Sequence, residues 1–458
     1  MSNAHPADSV IFGHLWTTPE ASALFSDEGR TQSWLDILAA LAEAQADVGL
    51  VPARAAEAIR AHADVALLDL GLVGEGTRES GHSTVGLIRA LRQVLPEHAR
   101  EWVYFGATVQ DLSDTWSALA ARAIGDIAER DVTRMRDRAL RLAAEYRDAP
   151  MCGRTHGQPG LPITFGFKAA VWAAELNRHL ERLRQGRDRW EVAQLGGAVG
   201  SMEFWGDRAL DMLERYARRL GLGVPVVPWI TARDGLAEFA WLLAAMSTTI
   251  GKIGNEVYQL QRPEIGELRE TYRPGTVGSI TMPHKRNPEI AEHLVTLSRV
   301  IRSHAAVLLD GMSCEHERDG RAWKAEWLVL PEVSMAFAAC AGAGARMLDG
   351  LCPDPGRMLR NIDAHHGYLL SEPVMRALAD RIGKHSAHER VYDAAMRGID
   401  AGQDLRTALR AEPALDPIPD AELDGLLRVE ASLGSCAAFV DRVRAGTGEA
   451  VAGKAETT

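Results

Sequence analysis

The sequence predicts an all-α protein built around a bundle of long helices. Three observations carry this expectation: apolar residues recur at steps of three and four over long stretches, strand-like alternation is nearly absent, and the longest periodic stretch holds no proline. In the first stretch Trp34, Ile37, Leu38, Leu41 and Val48 share one face, and Gly49 with Pro52 supplies the stop. The second begins near Leu112 and runs through Trp116, Leu119, Ala123 and Ile127 towards Tyr146, far beyond the usual globular helix. A third spans roughly Phe165 to Leu183. In a fourth, within 235–262, Met246, Ile250, Ile253, Val257 and Leu260 alternate steps of four and three, the seam of a helix packed in a bundle. A fifth follows Pro288 with Ile290, Leu294, Leu297, Ile301 and Leu308, and a sixth carries Leu330, Val333 and Phe337.

Helices of this length bury their stripes only against each other, which places a central bundle at 112–350. Residues 1–111 then form an N-terminal helical domain. The punctuation Leu351-Cys352-Pro353-Asp354-Pro355-Gly356 opens a C-terminal helical domain, 351–458, whose tail from about Ala445 looks frayed.

Composition bounds the function. The 458 residues are 46% hydrophobic and 25% charged, ordinary for a globular chain, and 51 Lys+Arg against 62 Asp+Glu leave a net charge of −11. That balance argues against a general binder of nucleic acid or anionic membrane, so local basic clusters are read as sites. Five cysteines, Cys152, Cys314, Cys340, Cys352 and Cys436, form no C-x-x-C pair and fit a reducing cytoplasm. The N-terminus lacks the pattern of an export signal and no run of 18 apolar residues occurs, so a cytoplasmic protein with no membrane span is expected.

The most informative segment is Gly278-Ser279-Ile280-Thr281-Met282-Pro283-His284-Lys285-Arg286-Asn287-Pro288. It sets a hydroxyl, cations and an amide between a glycine and a proline. Gly275 and Gly278 let the backbone approach a ligand, and Pro288 can open a helix whose first N–H groups point at a bound carboxylate. Two further segments carry hydroxyls, amides and an imidazole: Gly106-Ala107-Thr108-Val109-Gln110-Asp111 and Gly153-Arg154-Thr155-His156-Gly157-Gln158-Pro159-Gly160.

These three segments, in this order, resemble the three signature regions of the fumarase/aspartase superfamily. The loop differs from the usual GSSxMPxKxNP only in Ile280, and Val109 stands where a serine is usual. Supporting matches are Gln194 to Gly200, Leu260 to Ile265, and Glu315-His316-Glu317-Arg318-Asp319. The resemblance implies a three-domain all-α subunit and a homotetramer with a twenty-helix core, whose active sites are shared between subunits. It implies a small dicarboxylate substrate and no cofactor.

The chemistry asks for this residue set on its own terms. Removing a proton beside a carboxylate leaves a doubly charged aci-carboxylate, so the site must supply fixed donors and positive charge where that charge develops. The resemblance makes Ser279 the base, activated when water is excluded and Lys285 lies near, and His156 the acid that protonates a leaving group. Lys285 and Asn287 stabilise the anion; Thr108, Gln110, Thr155, His82, Met282, Arg233 and Gln194 are expected as substrate contacts. His316 to Asp319 lacks the spacing of a metal site, and no dinucleotide fingerprint, P-loop or nucleophile elbow occurs, so no metal or cofactor is expected.

The branch is mixed. Ala23 to Leu35 and Trp323-Lys324-Ala325-Glu326-Trp327 resemble 3-carboxymuconate cycloisomerases, whereas His156 and the run from His316 resemble adenylosuccinate lyases. The arginine-tyrosine pair and the serines with which adenylosuccinate lyases hold a nucleotide phosphate are replaced by Gly13-His14-Leu15-Trp16 and Gly320-Arg321-Ala322-Trp323. The leading expectation is β-elimination of a nitrogen substituent, amine or nitro group, from a succinyl skeleton to give fumarate. Cycloisomerisation of 3-carboxy-cis,cis-muconate is the alternative, and a catalytically silent structural relative is the third.

Overall fold

The computed structural model describes residues 4–271, 281–282, 284–415 and 418–447. Helices dominate, as the periodicity predicts. Helix α1, Asp27–Asp47, opens on Ser26, whose Oγ accepts the Gly29 N–H at 3.0 Å. It buries Trp34, Ile37, Leu38 and Leu41 on the expected face. The five longer or comparable helices are α2, Val109–Glu145; α3, Phe165–Trp190; α4, Asp234–Leu260; α5, Glu289–Asp310; and α6, Gly320–Asp349. The α4 seam from Met246 to Leu260 is at most 2% exposed, and Leu294, Leu297, Ile301, Leu330, Val333 and Phe337 are equally buried. Helix α6 is long and apolar enough to cross a membrane by length and composition, but 83% of its apolar window is buried inside the fold, which marks a core helix.

Contacts divide the chain into two interleaved units. The first gathers Met1–Asp131, His179–Gly251 and Leu294–Ala343; the second gathers Val132–Arg178, Lys252–His293 and Gly344–Thr458. The first unit has a core running from Trp34 through Leu87, Leu91 and Trp116 to Trp205, Leu213 and Tyr216. The second contains a separate cluster of Val374, Leu378, Val391, Leu405, Leu409, Ile418 and Leu423. Its last described helix, Cys436–Gly446, ends within a residue of Ala445. Residues 448–458 lie outside the described residues.

Two small antiparallel sheets, both in the second unit, join the helices. Strand β1, Pro150–Thr155, pairs with β2, Gln158–Thr164, and β3, Leu268–Arg269, pairs with β4, Cys352–Pro353. The β1–β2 hairpin turns on only two residues, His156 (φ 53°) and Gly157 (φ 76°), between the partners Thr155 and Gln158. Both turn residues are left-handed, the backbone of a type I′ turn, which matches the twist of the strands it joins. The pairing shifts register between Cys152 and Arg154. A side chain on Gly153 would come within 2.6 Å of the Leu161 carbonyl oxygen.

Behind the turn, Arg154 makes a two-pronged pair with the fully buried Glu267, at 2.7 and 2.8 Å, and Asn361 Nδ2 donates to the same carboxylate at 2.8 Å. Removing one partner strands the other in a dry environment. Glu267→Ala is therefore expected to cost about 3–5 kcal/mol, read as a lower denaturant midpoint, whereas Glu264→Ala on the exposed rim should leave the midpoint nearly unchanged.

Candidate active site

In the first unit the Gly106–Asp111 segment forms the entrance to α2. Thr108 is the residue before the helix, and Asp111, three residues on, reaches back so that Oδ2 accepts the Thr108 N–H at 2.9 Å, one half of a capping box. Gly106 is left-handed (φ 81°), and a Cβ there would lie 2.2 Å from the Phe204 ring. Tyr104 is left-handed as well (φ 63°), a strained backbone for an aromatic residue. Burial pushes the pKa of its hydroxyl up. The neighbouring His82 is exposed and precedes the helix Ser83–Val94; its N–H donates to Ser80 Oγ at 3.1 Å.

The other expected contacts in this unit, Gln194, Gln110 and Arg233, are interior. Gln194 Oε1 accepts the Trp229 N–H at 2.7 Å and its Nε2 donates to Asp111 Oδ1 at 3.3 Å. Gln110 Nε2 donates to Asp114 Oδ2 at 3.0 Å and to the Ile230 carbonyl at 2.8 Å. Arg233 is 2% exposed and lies between two carboxylates: Nη1 and Nη2 donate to Asp114 at 2.7 and 3.1 Å, and Nε donates to Glu326 at 2.9 Å with Nη2 also on Glu326. Its guanidinium carbon lies 5.0 Å from the Trp229 ring centroid. Burial raises the pKa of Asp114 and of Glu326 even with that cation between them, and pushes Asp111 up to about 7. Arg318, from the run read above as non-metal, donates to the carbonyls of Ala198 at 2.9 Å and Gly197 at 3.4 Å. Asp319 takes Arg321 at 2.7 Å, which holds its carboxyl well below the usual carboxylate range.

In the second unit the hairpin tip presents His156 to solvent, with Thr155 exposed beside it. Lys285 and Met282 are exposed and Asn287 is half-buried, its Nδ2 donating to Glu289 at 3.3 Å; the Lys285 N–H closes a turn on the Met282 carbonyl at 3.0 Å. Ser279, with Gly275, Gly278, Ile280 and Pro283, lies outside the described residues. The helix start expected to face a ligand carboxylate already carries one from the protein: Glu270 accepts the Ala291 N–H at 2.6 Å and the Ile290 N–H at 3.3 Å. Among the described residues no group of three His, Cys, Asp or Glu could hold a metal ion.

Comparison with known proteins places the chain. A family model described as Lyase matches residues 15–302, and one described as Adenylosuccinate lyase C-terminus matches residues 367–443. The chain belongs to the fumarase/aspartase superfamily. This lyase is 37% identical to the N-acetyl-S-(2-succino)cysteine lyase of Enterococcus italicus over 96% of its length and 97% of that protein's. It is 36% identical to the adenylosuccinate lyase of Methanocaldococcus jannaschii, over 96% of this chain and 95% of the other. Among solved structures, the 3-carboxy-cis,cis-muconate lactonizing enzyme of Pseudomonas putida superposes with a TM-score of 0.89 at 35% identity, covering 95% of this lyase and 98% of that chain.

Several residues that hold these side chains in place stand outside the expected contacts. Asp111 was signalled by the pattern Thr108-x-x-Asp111, and the Gly157 turn by its glycine; Tyr104, Glu270 and the Arg154 pair carry no local signal. The Arg233 arrangement gives a test. Arg233→Met leaves two buried carboxylates facing each other without a cation, a loss of about 3–5 kcal/mol near pH 8. A carboxyl whose pKa is raised in the fold stabilises fully below its unfolded value and loses that contribution as pH rises through the raised one. The deficit against wild type in urea midpoint should therefore shrink at pH 5, and an equal deficit at both pH values would remove the two carboxylates as its source.

Proposed function

We propose that this lyase expels a nitrogen substituent from C2 of a succinyl unit and releases fumarate. The observation that carries the reading is the display of His156 at the apex of a two-residue turn, an imidazole held forward by its backbone and open to a partner. Amine expulsion needs an acid at that place, because an amide anion is a prohibitive leaving group and imidazole gives up a proton near neutrality. Ser279 would take the proton from C3; the electron pair passes into the adjacent carboxylate as an aci-dianion, then returns to form the C2–C3 double bond as the C2–N bond breaks and nitrogen takes the His156 proton. Lys285 and Asn287 stabilise the dianion, while Thr108, Thr155, His82 and Met282 hold the carboxylates or the departing group. Gln110, Gln194 and Arg233, with their donors engaged inside the first unit, act by shaping the floor on which Thr108 sits.

A second reading has sulfur in place of nitrogen. The likeness to N-acetyl-S-(2-succino)cysteine lyases favours it, and a thiolate leaves with less acid help than an amine does. Cycloisomerisation of carboxymuconate is the same proton chemistry with an internal carboxylate, supported by the likeness to the Pseudomonas putida enzyme. We also propose a cytoplasmic homotetramer with shared active sites. The exposed apolar side chains Trp241 on α4, Val307 and Leu309 on α5 and Leu328 on α6 support it, and light scattering should return four chain masses of 49.8 kDa.

Purified enzyme incubated with N-substituted aspartates, S-(2-succino) thiols and carboxymuconate should raise the fumarate absorbance with the first class; no response to it removes the nitrogen reading. Ser279→Ala should lower kcat by about 10²–10⁴ with assembly intact, and near-normal turnover would exclude Ser279 as base. His156→Ala should cost amine substrates by a similar factor and thiol substrates by less than about tenfold. Equal losses would contradict the acid role.

A further inference from the structure

Asp111 is fully buried, yet none of the chemistry above uses it. Its carboxylate accepts four N–H donors, two on each oxygen. Oδ1 takes the Gly196 amide at 2.8 Å and Gln194 Nε2 at 3.3 Å; Oδ2 takes the Thr108 amide at 2.9 Å and the Gly197 amide at 3.1 Å. Among the described residues no cation pairs with it, so burial pushes its pKa up to about 7, and its ionised form rests on these amide dipoles alone. The next two peptides of the same turn are gripped by another side chain, since the Gly197 and Ala198 carbonyls accept from Arg318.

We propose that Asp111 is a positioning residue, which locks Thr108 to the Gly196–Ala198 turn and, through that turn, fixes where Arg318 stands. The inference rests on the reading above only in counting Thr108 among the substrate contacts. A carboxylate is required because both oxygens must accept. An asparagine in the same place would turn its NH₂ towards two N–H groups in either orientation, leaving donors opposed and unsatisfied. A shift of about an ångström in a substrate contact weakens binding and turnover without removing any reacting group.

The test compares wild type with Asp111→Asn as full-length assembled enzyme, by amide hydrogen exchange and by calorimetric titration with fumarate. Faster exchange is expected in the peptides covering 104–112, 192–202 and 315–319, with protection in α3 and α4 unchanged. Fumarate affinity should fall about tenfold or more, with KM raised more than kcat is lowered. Gly197→Ala, which strains one side of the turn and keeps every side chain, should give the same pattern to a smaller degree, and it decides alone if Asp111→Asn does not assemble. Unchanged exchange in the first two peptides overturns the proposal, as does loosened exchange with unaltered fumarate affinity and KM. Failure of wild type to bind fumarate would sink the functional reading instead, and the exchange comparison would still rule on Asp111.

Discussion

One guanidinium fixes the first unit. Arg233, on the last residue before α4, is closed between Asp114 of α2 and Glu326 of α6, so three long helices meet at a single buried cation. Burying one positive and two negative groups carries a desolvation cost of several kcal/mol, and only near-ideal geometry offsets it. Apolar helix faces alone tolerate sliding by small steps; a charge held this way does not, because a misplaced helix would leave an ion unpaired in the interior. The register of α2 is therefore set at Asp114, and with it the place of Asp111 about one turn earlier and of Thr108 just before the helix.

On that frame several residues around the candidate contacts stand in turns of unusual backbone. Tyr104, His156 and His316 all have positive φ without being glycine, and Gly106, Gly157 and Gly197 share the left-handed region beside them. Strain of this kind costs of order 1–3 kcal/mol for each residue and persists only where surrounding structure overrides it. The helices supply that surplus, and the turns spend it on aiming an imidazole or a hydroxyl in a direction no regular element allows.

The helices were legible because their signal is repeated. Each turn of α4 restates the seam from Met246 to Leu260, so an error at one residue is corrected by the next, and ends were found within a few residues; α3 runs on from Leu183 to Trp190 because polar residues at its end hid its continuation. The β1–β2 hairpin was illegible for the opposite reason. Its sequence, broken by three glycines and three prolines, has no sustained alternation, and its pairing is held by backbone bonds and by Arg154 on a carboxylate more than a hundred residues away. For the candidate site, local motifs singled out His156, Lys285 and Thr108 as expected contacts. They did not disclose that Gln110, Gln194 and Arg233 direct their donors inward, since a donor's destination depends on residues distant in the chain.

The carboxylate that caps α5 has a consequence for the resting enzyme. Glu270 satisfies the Ile290 and Ala291 amides with a group that is permanently attached. When a product anion departs, that helix end is not left as a bare positive pole, and it has no electrostatic reason to scavenge phosphate, sulfate or bicarbonate from the surrounding fluid. On the proposed reading, attraction of the diacid then rests with side chains and not with this helix end, whose charge the protein has already answered.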